Sequence, residues 1–311
     1  MMSFLPIFEK MVELFLIVLI GYVATKLGVL NQDIKKAMTK LVLNISLPCT
    51  ILSSVIGAEH LPRRTAIASL MLVAFISYVP LIAIGYYVPW LFRMKNEKKA
   101  AATFALIFGN IGFIGFPVTQ AIYGADALFY TCVFNLPFNF ICLSFGAEIL
   151  RRGNGEKSEK GSFHLRSVIN SSVIASIIAV GFAFAQIKAP ALLVDTTATV
   201  GNITTPTALL IIGATLAQMK VSEMFGNVYA YVITVVNILI SPAITYALFH
   251  PFLTDPMALR IAVIMDAMPV ATTGTMLCVD LGGDEKFMAQ MTFISTAATV
   301  ITIPIIAMLL A

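Results

Sequence analysis

Long apolar runs separated by short polar or charged clusters extend from one end of the chain to the other. A membrane-spanning helix needs about 20 mostly apolar residues, and charge, proline or glycine at the edges of a run mark where such a helix begins and ends. The pattern predicts ten spans in the 311 residues, at 11–30, 37–56, 65–92, 100–122, 128–150, 167–186, 197–219, 225–250, 257–278 and 287–310.

The composition agrees with this pattern and excludes a soluble domain. Apolar residues make up 59% of the chain and charged residues 12%, compared with about 25% charged residues in a typical soluble domain. The formal net charge of +4 arises from short loop clusters, which do not form the continuous basic face that nucleic acid requires. We therefore expect an all-α polytopic membrane protein that contacts the lipid bilayer and has no nucleic-acid partner.

The basic residues are distributed unevenly between the two sets of loops. Of the 20 Lys and Arg residues, 15 fall in loops after odd-numbered spans and 5 fall on the opposite side. Because basic residues accumulate in cytoplasmic loops, this asymmetry predicts that the odd loops are cytoplasmic and that both termini lie outside the cell membrane. A count of nine or eleven spans would scramble the asymmetry, so it also supports ten.

A short motif recurs in the two halves of the chain. Asn44-Ile-Ser-Leu-Pro48 in the second run matches Asn202-Ile-Thr-Thr-Pro206 in the seventh, 158 residues later, and the same interval separates Gly124 from Gly282. These matches predict two homologous halves of five spans each. The alternative is a coincidence between two helices that both contain proline.

A unit with an odd number of spans ends on the opposite side of the membrane from where it begins. The second half, 167–311, must therefore be inverted relative to the first, 1–150, and the hydrophilic stretch 151–166 is predicted to be a flexible connector between them. Inverted repeats are the architecture of many secondary transporters, in which two related halves expose a central site to each side in turn.

The fourth run contains residues that oppose a continuous helix. Gly109, Gly112 and Gly115 are followed by Pro117, and relative to alanine a glycine costs about 1 kcal/mol and a proline about 3 kcal/mol inside a helix. We therefore predict that this helix is interrupted near the bilayer centre. The alternative is a continuous helix that uses its glycines for close packing against a neighbour.

The ninth run has a similar interruption signal, with Pro269 and Gly274 near its middle. An interruption in lipid leaves backbone N–H and C=O groups unpaired unless protein, water or substrate satisfies them, so the two breaks should face each other inside the protein. A helix that restarts after a break directs free N–H groups and the positive end of its dipole into the gap, which suits an anionic ligand.

Asp266 is the acidic residue predicted to lie deepest in the membrane. At 1.5 Å per residue from Met257 it lies roughly 13 Å into a core about 30 Å thick, and no Lys or Arg occupies the middle of any run. A carboxylate in this position should hold a proton or bind a metal cation such as Na⁺, and either would couple transport to a gradient. The alternative is a structural acid that Thr and Asn side chains satisfy. No other metal and no cofactor is predicted.

Polar side chains near the two breaks are candidates for contact with a substrate. Asn135 and Asn139 in the fifth run are four residues apart and share a helix face. Each polar residue has the alternative role of a hydrogen bond between helices. The candidate substrate-binding residues are Asn110, Gly112, Pro117, Asn135, Asn139, Pro269, Thr272 and Thr273, with Asp266 as the candidate ion-coupling residue.

Several of these motifs together resemble the auxin efflux carrier family, which includes bacterial malate and malonate permeases. The resemblance covers essentially the whole chain and rests on Leu41-Val-Leu-Asn-Ile-Ser-Leu-Pro48, Gly109-Asn-Ile-Gly-Phe-Ile-Gly-Phe-Pro117, Thr205-Pro206 and Met268-Pro269. It implies the fold of the bile acid:sodium symporters, with a scaffold from helices 1, 2, 6 and 7, a mobile transport domain from helices 3–5 and 8–10, and broken helices 4 and 9 that cross.

The resemblance also implies roles for individual residues. Asn44, Pro48, Asn202 and Pro206 would kink the scaffold helices, and Asp266 occupies a place comparable to the acid that helps bind the cation in the sodium symporters.

The function expected from these features is secondary active transport of a small organic anion, such as malate, malonate or an auxin-like acid. Transport would proceed by elevator-type alternating access, coupled to H⁺ or Na⁺, and a homodimer is left open. We do not expect an enzyme. An intramembrane enzyme or a passive channel are the alternatives, but Asp284 lacks the Gly-x-Gly-Asp order of aspartyl intramembrane proteases and the sequence has no channel filter motif.

Overall fold

A computed structural model of the chain describes residues 4–58, 64–124, 126–155, 171–186, 189–218, 225–281 and 283–310. Gly282 and most of the predicted connector, 156–166, lie outside these ranges. The described chain is helical, with one isolated antiparallel bridge between Gly109 and Val270. In chain order the helices are α1 Phe4–Lys26, α2 Gln32–Ile56, α3 Arg64–Ile76 continued by Tyr78–Leu91, α4 Asn96–Ile107, α5 Ile111–Tyr123, α6 Ala127–Gly153, α7 Ser171–Ala185, α8 Ala191–Ala217, α9 Val228–Phe249, α10 Pro256–Asp266, α11 Thr272–Leu281 and α12 Glu285–Leu309.

Six stretches of helix in the described ranges are long and apolar enough to cross a membrane: α2, Ile67–Leu91 of α3, α6, α8, α9 and α12. The helices α5 and α7 are shorter but also apolar, and α1 is 23 residues long with three charged residues, Glu9, Lys10 and Glu13, near its start. The predicted class, an all-α polytopic membrane protein, is confirmed.

One group of helices is formed by α1, α2, α7 and α8. A Cβ atom added to Gly213 of α8 would lie 1.9 Å from the carbonyl oxygen of Val18 in α1, and one added to Gly21 would lie 2.4 Å from that of Leu210. Small residues allow this close backbone approach between helices in a membrane. On the other face of α8, the Thr50 hydroxyl of α2 is 2.8 Å from that of Thr204.

The second group contains α3, α4, α6 and α9–α12. Here α4 packs against α3 and α6, and α12 packs against α9 and α11. Phenylalanine rings fill the space between α4 and α6: the ring centroids of Phe104 and Phe108 are 4.8 Å apart, and Phe138 contacts Phe108 edge-on at 6.3 Å. These buried rings lie beside the point where α4 ends.

Several boundaries differ from the sequence prediction: α1, α2 and α8 begin at Phe4, Gln32 and Ala191, and not at residues 11, 37 and 197. The first helix ends at Lys26 and not near residue 30, because Gly28 adopts a left-handed conformation with a φ of 79° that ends the helix. The predicted connector begins later than residue 151, because α6 continues to Gly153. An ion pair of 2.7 Å between Arg152 and Glu148, one turn apart, supports this last turn.

Pro48 and Pro206 lie within α2 and α8, and each follows a local irregularity of its helix. A π-helical turn, Val42–Ser46, precedes Pro48, and the chain leaves regular helix at Asn202 and Ile203 before Pro206. A proline inside a helix lacks an N–H and clashes with the preceding turn, and a widened or interrupted turn relieves that conflict.

Candidate functional site

The interruptions of the two broken helices lie directly against each other. The backbone N–H of Asn110 donates to the carbonyl oxygen of Pro269 at 2.7 Å, and the N–H of Ala271 donates to the carbonyl oxygen of Phe108 at 3.0 Å. The Ser295 hydroxyl on α12 accepts from the Val270 N–H at 3.0 Å. The breaks therefore satisfy much of each other's backbone hydrogen bonding, as buried polar groups in a membrane require.

The local sequence explains why the chain turns at this point. After α4 ends, Phe108 is extended, and the Gly109 backbone comes so close to the other break that an added Cβ would lie 3.2 Å from the Met268 Cβ atom. The Asn110 side chain then begins α5, because its Oδ1 accepts from the Phe113 N–H at 3.2 Å. The end of α4 is also supported, since the Asn237 amide donates to the Ala105 carbonyl oxygen at 3.2 Å.

A cavity of about 150 Å³ opens beside this crossing, between α2 and α7 on one side and α5, α6 and α11 on the other. This is about the size of an apolar cavity that admits benzene in a well-studied protein. None of the described residues that line it carries a charge. Its lining consists of Leu43, Asn44, Leu47, Asn110, Gly112, Phe113, Asn135, Phe138, Asn139, Ser172 and Thr273.

Two carboxamides in this cavity hold polar atoms without a protein partner. Asn110 is 3% exposed and Asn135 is 1% exposed. Within the described part of the chain, Nδ2 of Asn110 and both Nδ2 and Oδ1 of Asn135 have no hydrogen-bond partner. Leaving such a group unpaired costs about 1–3 kcal/mol, so these atoms are suited to bind a ligand or water in the cavity.

Gly112 has no side chain, so the beginning of α5 is open to the cavity. A Cβ atom added to this residue would meet no protein atom within 4 Å. The first N–H groups of a helix have no partner within it and carry the positive end of its dipole. At the start of α5 the Ile111 N–H donates to the Gly109 carbonyl oxygen and the Phe113 N–H to Oδ1 of Asn110, so the Gly112 N–H is the backbone donor that adds to the amide donors of Asn110 and Asn135.

Other amides of the cavity already have partners. The Asn44 Nδ2 donates to the Lys40 carbonyl oxygen at 3.0 Å, and its Oδ1 accepts from the Ser171 hydroxyl at 3.2 Å. The Asn139 Nδ2 donates to the Asn135 carbonyl oxygen at 2.9 Å. Asn44 thus lines the cavity, although it was predicted among the residues that kink a helix.

Asp266 lies at the break but on a different side of it. It is the last residue of α10, and its Oδ2 accepts from the Thr245 hydroxyl on α9 at 2.5 Å. It is not among the residues that line the cavity. The hydrogen bond is of the kind expected for a structural acid. The candidate ion-coupling residue therefore lies apart from the candidate substrate site.

The structure brings five of the eight predicted substrate-binding residues into the cavity: Asn110, Gly112, Asn135, Asn139 and Thr273. Pro269 takes part in the backbone bonds of the crossing and does not line the cavity. Pro117 in α5 and Thr272 in α11 are buried and do not line it either. Pro48, Asn202 and Pro206 are also absent from its lining.

Five other lining residues were not predicted from the sequence, namely Leu43, Leu47, Phe113, Phe138 and Ser172. Phe138 was accessible to sequence reasoning, because it lies three residues after Asn135 on the same helix face. Ser172 carried no such signal, since its position depends on how α7 packs against α2. The roles of Thr245 and Ser295 likewise depend on packing between helices.

Known proteins with similar sequences are transporters. A family model described as membrane transport protein matches residues 6–307. An uncharacterized transporter from Methanocaldococcus jannaschii is 23% identical over 292 residues, which cover 93% of this chain and 94% of the relative. Another from Methanothermobacter thermautotrophicus is 22% identical over 308 residues, or 98% of each chain. The uncharacterized transporter YfdV of Escherichia coli is 27% identical over 218 residues, or 68% of each chain.

The family match covers nearly the whole chain, and it agrees with the motifs at the two helix breaks. The protein therefore belongs to this family of membrane transport proteins, the auxin efflux carriers that its sequence resembles.

Proposed function

We propose that the protein is a secondary active transporter that moves a small organic anion across the cell membrane. The observation that carries this proposal is the cavity at the helix crossing, where the unpaired amides of Asn110 and Asn135 and the start of α5 converge. Backbone and amide N–H donors bind carboxylate oxygens well, and a helix N-terminus favours negative charge. The absence of charge among the described lining residues would let the anion leave again.

The proposed architecture has ten spans in two inverted repeats of five. In this arrangement α4 and α5 together form the fourth span, and α10 and α11 together form the ninth. Support comes from the 15 basic residues in odd-numbered loops and from the backbone bridge that pairs one broken helix from each half. Both termini would then lie outside the cell.

The position of the cavity supports an elevator-type mechanism. The lining residues on α2 and α7 belong to the second and sixth spans, which are part of the proposed scaffold of spans 1, 2, 6 and 7. The lining residues on α5, α6 and α11 belong to the fourth, fifth and ninth spans, which are part of the proposed transport domain of spans 3–5 and 8–10. If the transport domain slides against the scaffold, the helix crossing and the bound anion move with it. Such movement opens a central site first to one side and then to the other.

The volume of the cavity bears on the choice of substrate. A space of about 150 Å³ favours a compact carboxylate such as malonate or malate over a larger indole-like acid. Amide donors would hold the carboxylate, while Leu47, Phe113 and Phe138 would contact its carbon chain.

Asp266 is proposed to couple transport to H⁺ or Na⁺ from outside the substrate cavity. Its side chain lies at the C-terminal end of α10, where unpaired carbonyl oxygens and the negative end of the helix dipole favour a bound cation or a protonated acid. The Thr245 hydroxyl holds one carboxyl oxygen in place. Because α10 ends where the break that contains Pro269 begins, the binding of a proton or cation by Asp266 would be transmitted to the helix crossing.

Binding and uptake measurements test this function. Thermal-shift assays of the purified protein against a panel of carboxylates, at two pH values and with or without Na⁺, should identify an anion that stabilises it. Uptake of that anion into proteoliposomes should saturate and show counterflow. Flux without saturation or counterflow would indicate a channel, and the failure of every anion to stabilise the protein would contradict the proposed substrate class.

A further inference from the structure

A second, larger cavity lies at the charged ends of the helices and shares no lining residue with the first. It has a volume of about 670 Å³ and opens between the end of α3, the beginning of α4 and the end of α6. Three basic side chains line it, Lys95, Lys99 and Arg152, against one acidic side chain, Glu97. The described lining therefore has a net positive charge.

The beginning of α4 adds further positive potential to this cavity. Lys95 is extended, with a φ of −126°, and its side chain does not cap the helix that starts at Asn96. The first N–H groups of an uncapped helix lack partners within the helix and carry the positive end of its dipole. Lys95, Asn96 and Glu97 all line the cavity, so these backbone groups lie at its wall.

A buried hydroxyl provides an independent indication of a ligand. Thr103 lines the cavity about two turns along α4 and is 1% exposed. Its Oγ1 has no hydrogen-bond partner among the residues that the structure describes, and the same holds for Oδ1 of Asn154, another lining residue. Native proteins rarely leave such buried groups unpaired, and a bound polar group would satisfy them.

We propose that this cavity binds a phosphate group, carried either by an anionic phospholipid or by a soluble phosphate compound. Lysine ammonium groups, the arginine fork, helix N–H groups and a threonine hydroxyl are the donors that phosphate oxygens accept from. Basic pockets between membrane helices bind lipid headgroups in this way. Arg152 is compatible with this role, because its side chain is 69% exposed and its ion pair with Glu148 uses Nε, which leaves other N–H donors free to bind.

The shape of the cavity wall also fits a ligand with an apolar part. Tyr86, Met94 and Ile149 line it together with the charged groups. Tyr87 and Trp90, on the same stretch of α3, are exposed, as aromatic residues at a membrane interface commonly are. A headgroup would contact the cations while its glycerol or acyl carbons contact this apolar side. The site differs from the first cavity, which has amide donors and no charged lining.

Two ligands separate the sources of the phosphate. The purified protein in neutral detergent is titrated with inorganic phosphate and with dihexanoyl phosphatidylglycerol, with acetate as a phosphate-free anion. Binding is followed by thermal shift and by the fluorescence of Trp90, the single tryptophan of the chain. Binding of the lipid alone indicates a phospholipid site, and binding of inorganic phosphate indicates a soluble ligand. Saturation by neither, or equal binding of acetate, would overturn the proposal.

Matched variants separate a specific site from general electrostatic attraction. The Lys99→Gln, Arg152→Gln double variant removes two lining cations, and the Lys98→Gln, Arg151→Gln double variant removes their sequence neighbours, which do not line the cavity. Both have the same net charge. We expect the first to bind about tenfold more weakly and the second to bind like the wild-type protein. Equal loss in both would contradict a defined site.

A conservative change at the buried hydroxyl gives a second test that does not depend on charge. Thr103→Val keeps the shape of the side chain and removes an unpaired polar atom, so the protein should remain folded. Phosphate or lipid binding should weaken by about fivefold, and uptake of the organic anion should be unchanged. Unaltered phosphate binding in this variant, together with unaltered binding in the double variant, would refute the proposed site.

Discussion

The backbone N–H of Asn110 donates to the carbonyl oxygen of Pro269 at 2.7 Å, and this bond joins the interruptions of two helices from different halves of the chain. Because Asn110 also begins α5 through its side chain, the bond fixes the position of the Asn110 amide at the cavity. The amide's Nδ2 then remains available, as it has no partner in the described part of the chain. The crossing therefore both closes the broken backbone and orients a donor.

Gly112 tests whether the cavity is the substrate site. The Gly112→Ala variant would place a methyl group in open space within the cavity, so the protein should stay folded and gain up to about 1 kcal/mol in helix stability. Uptake should fall by about tenfold or more, because the methyl group occupies space that the substrate needs. Uptake into proteoliposomes and thermal unfolding measure the two effects.

Gly181 in α7 offers a matched control for this change. An added Cβ there also meets no atom within 4 Å, but the residue does not line the cavity. Gly181→Ala should therefore leave uptake unchanged. If Gly112→Ala transported the anion as well as Gly181→Ala did, the substrate would not bind beside the start of α5.

A variant of Asn135 tests whether its unpaired amide binds the carboxylate substrate. Asn135→Leu removes both unpaired atoms from a buried position and should stabilise the protein by about 1 kcal/mol, while binding of the stabilising carboxylate is lost. Thermal unfolding with and without the carboxylate measures both effects. A variant that is less stable, or that still binds the carboxylate, would show that the amide has another role.

Asn237→Leu is the corresponding control. The Asn237 amide is also buried, but its Nδ2 donates to the Ala105 carbonyl oxygen at the end of α4. This variant leaves that carbonyl without its donor, although it also removes Oδ1 of Asn237, which has no partner in the described part of the chain, and it should destabilise the protein by about 1 kcal/mol. The opposite signs of the two asparagine variants would distinguish a binding amide from a structural one.

Sequence reasoning located the breaks well because their cause is local. Glycine and proline disfavour a helix through their own backbones, so the glycines of the fourth run and Pro269 indicated where the chain departs from regular helix, although Gly115 and Pro117 themselves lie within α5. The local sequence does not determine which side of the break a residue faces, because that depends on which helices pack there. The sequence could therefore not decide whether Asp266 couples an ion or is a structural acid bonded to threonine, and the structure shows its bond to Thr245 on α9. Asn44 was expected to kink a scaffold helix, and its place in the cavity lining depends on packing between helices.

Asp266 is predicted to govern the ion dependence of transport. Asp266→Asn retains a group that accepts from the Thr245 hydroxyl but cannot carry a negative charge, so uptake should lose its dependence on pH or on Na⁺. Thr245→Val provides the control, because it removes the hydrogen bond and keeps the carboxyl group, and it should retain ion dependence. Uptake at two pH values with and without Na⁺ measures this, and unchanged dependence in Asp266→Asn would remove Asp266 from the coupling role.

The proposed membrane topology predicts opposite locations for two exposed residues. Lys98 follows the third span and should face the cytoplasm, whereas Phe252, which is 81% exposed, follows the eighth and should face outward. In a variant whose four cysteines are replaced by alanine, Phe252→Cys should react with a membrane-impermeant maleimide in intact cells. Lys98→Cys should react only after permeabilisation, and labelling of both from one side would contradict the ten-span arrangement.

The close contact between α1 and α8 predicts a strong dependence of stability on Gly213. An added Cβ would lie 1.9 Å from the Val18 carbonyl oxygen and 2.7 Å from the Tyr22 backbone nitrogen. Because both neighbours are backbone atoms that cannot rotate away, Gly213→Ala must push the helices apart and should cost about 1–3 kcal/mol or more. The loss should appear as a lower thermal unfolding temperature, while Gly181→Ala stays close to wild type. A Gly213→Ala protein as stable as Gly181→Ala would show that α1 and α8 do not pack through backbone contact at this point.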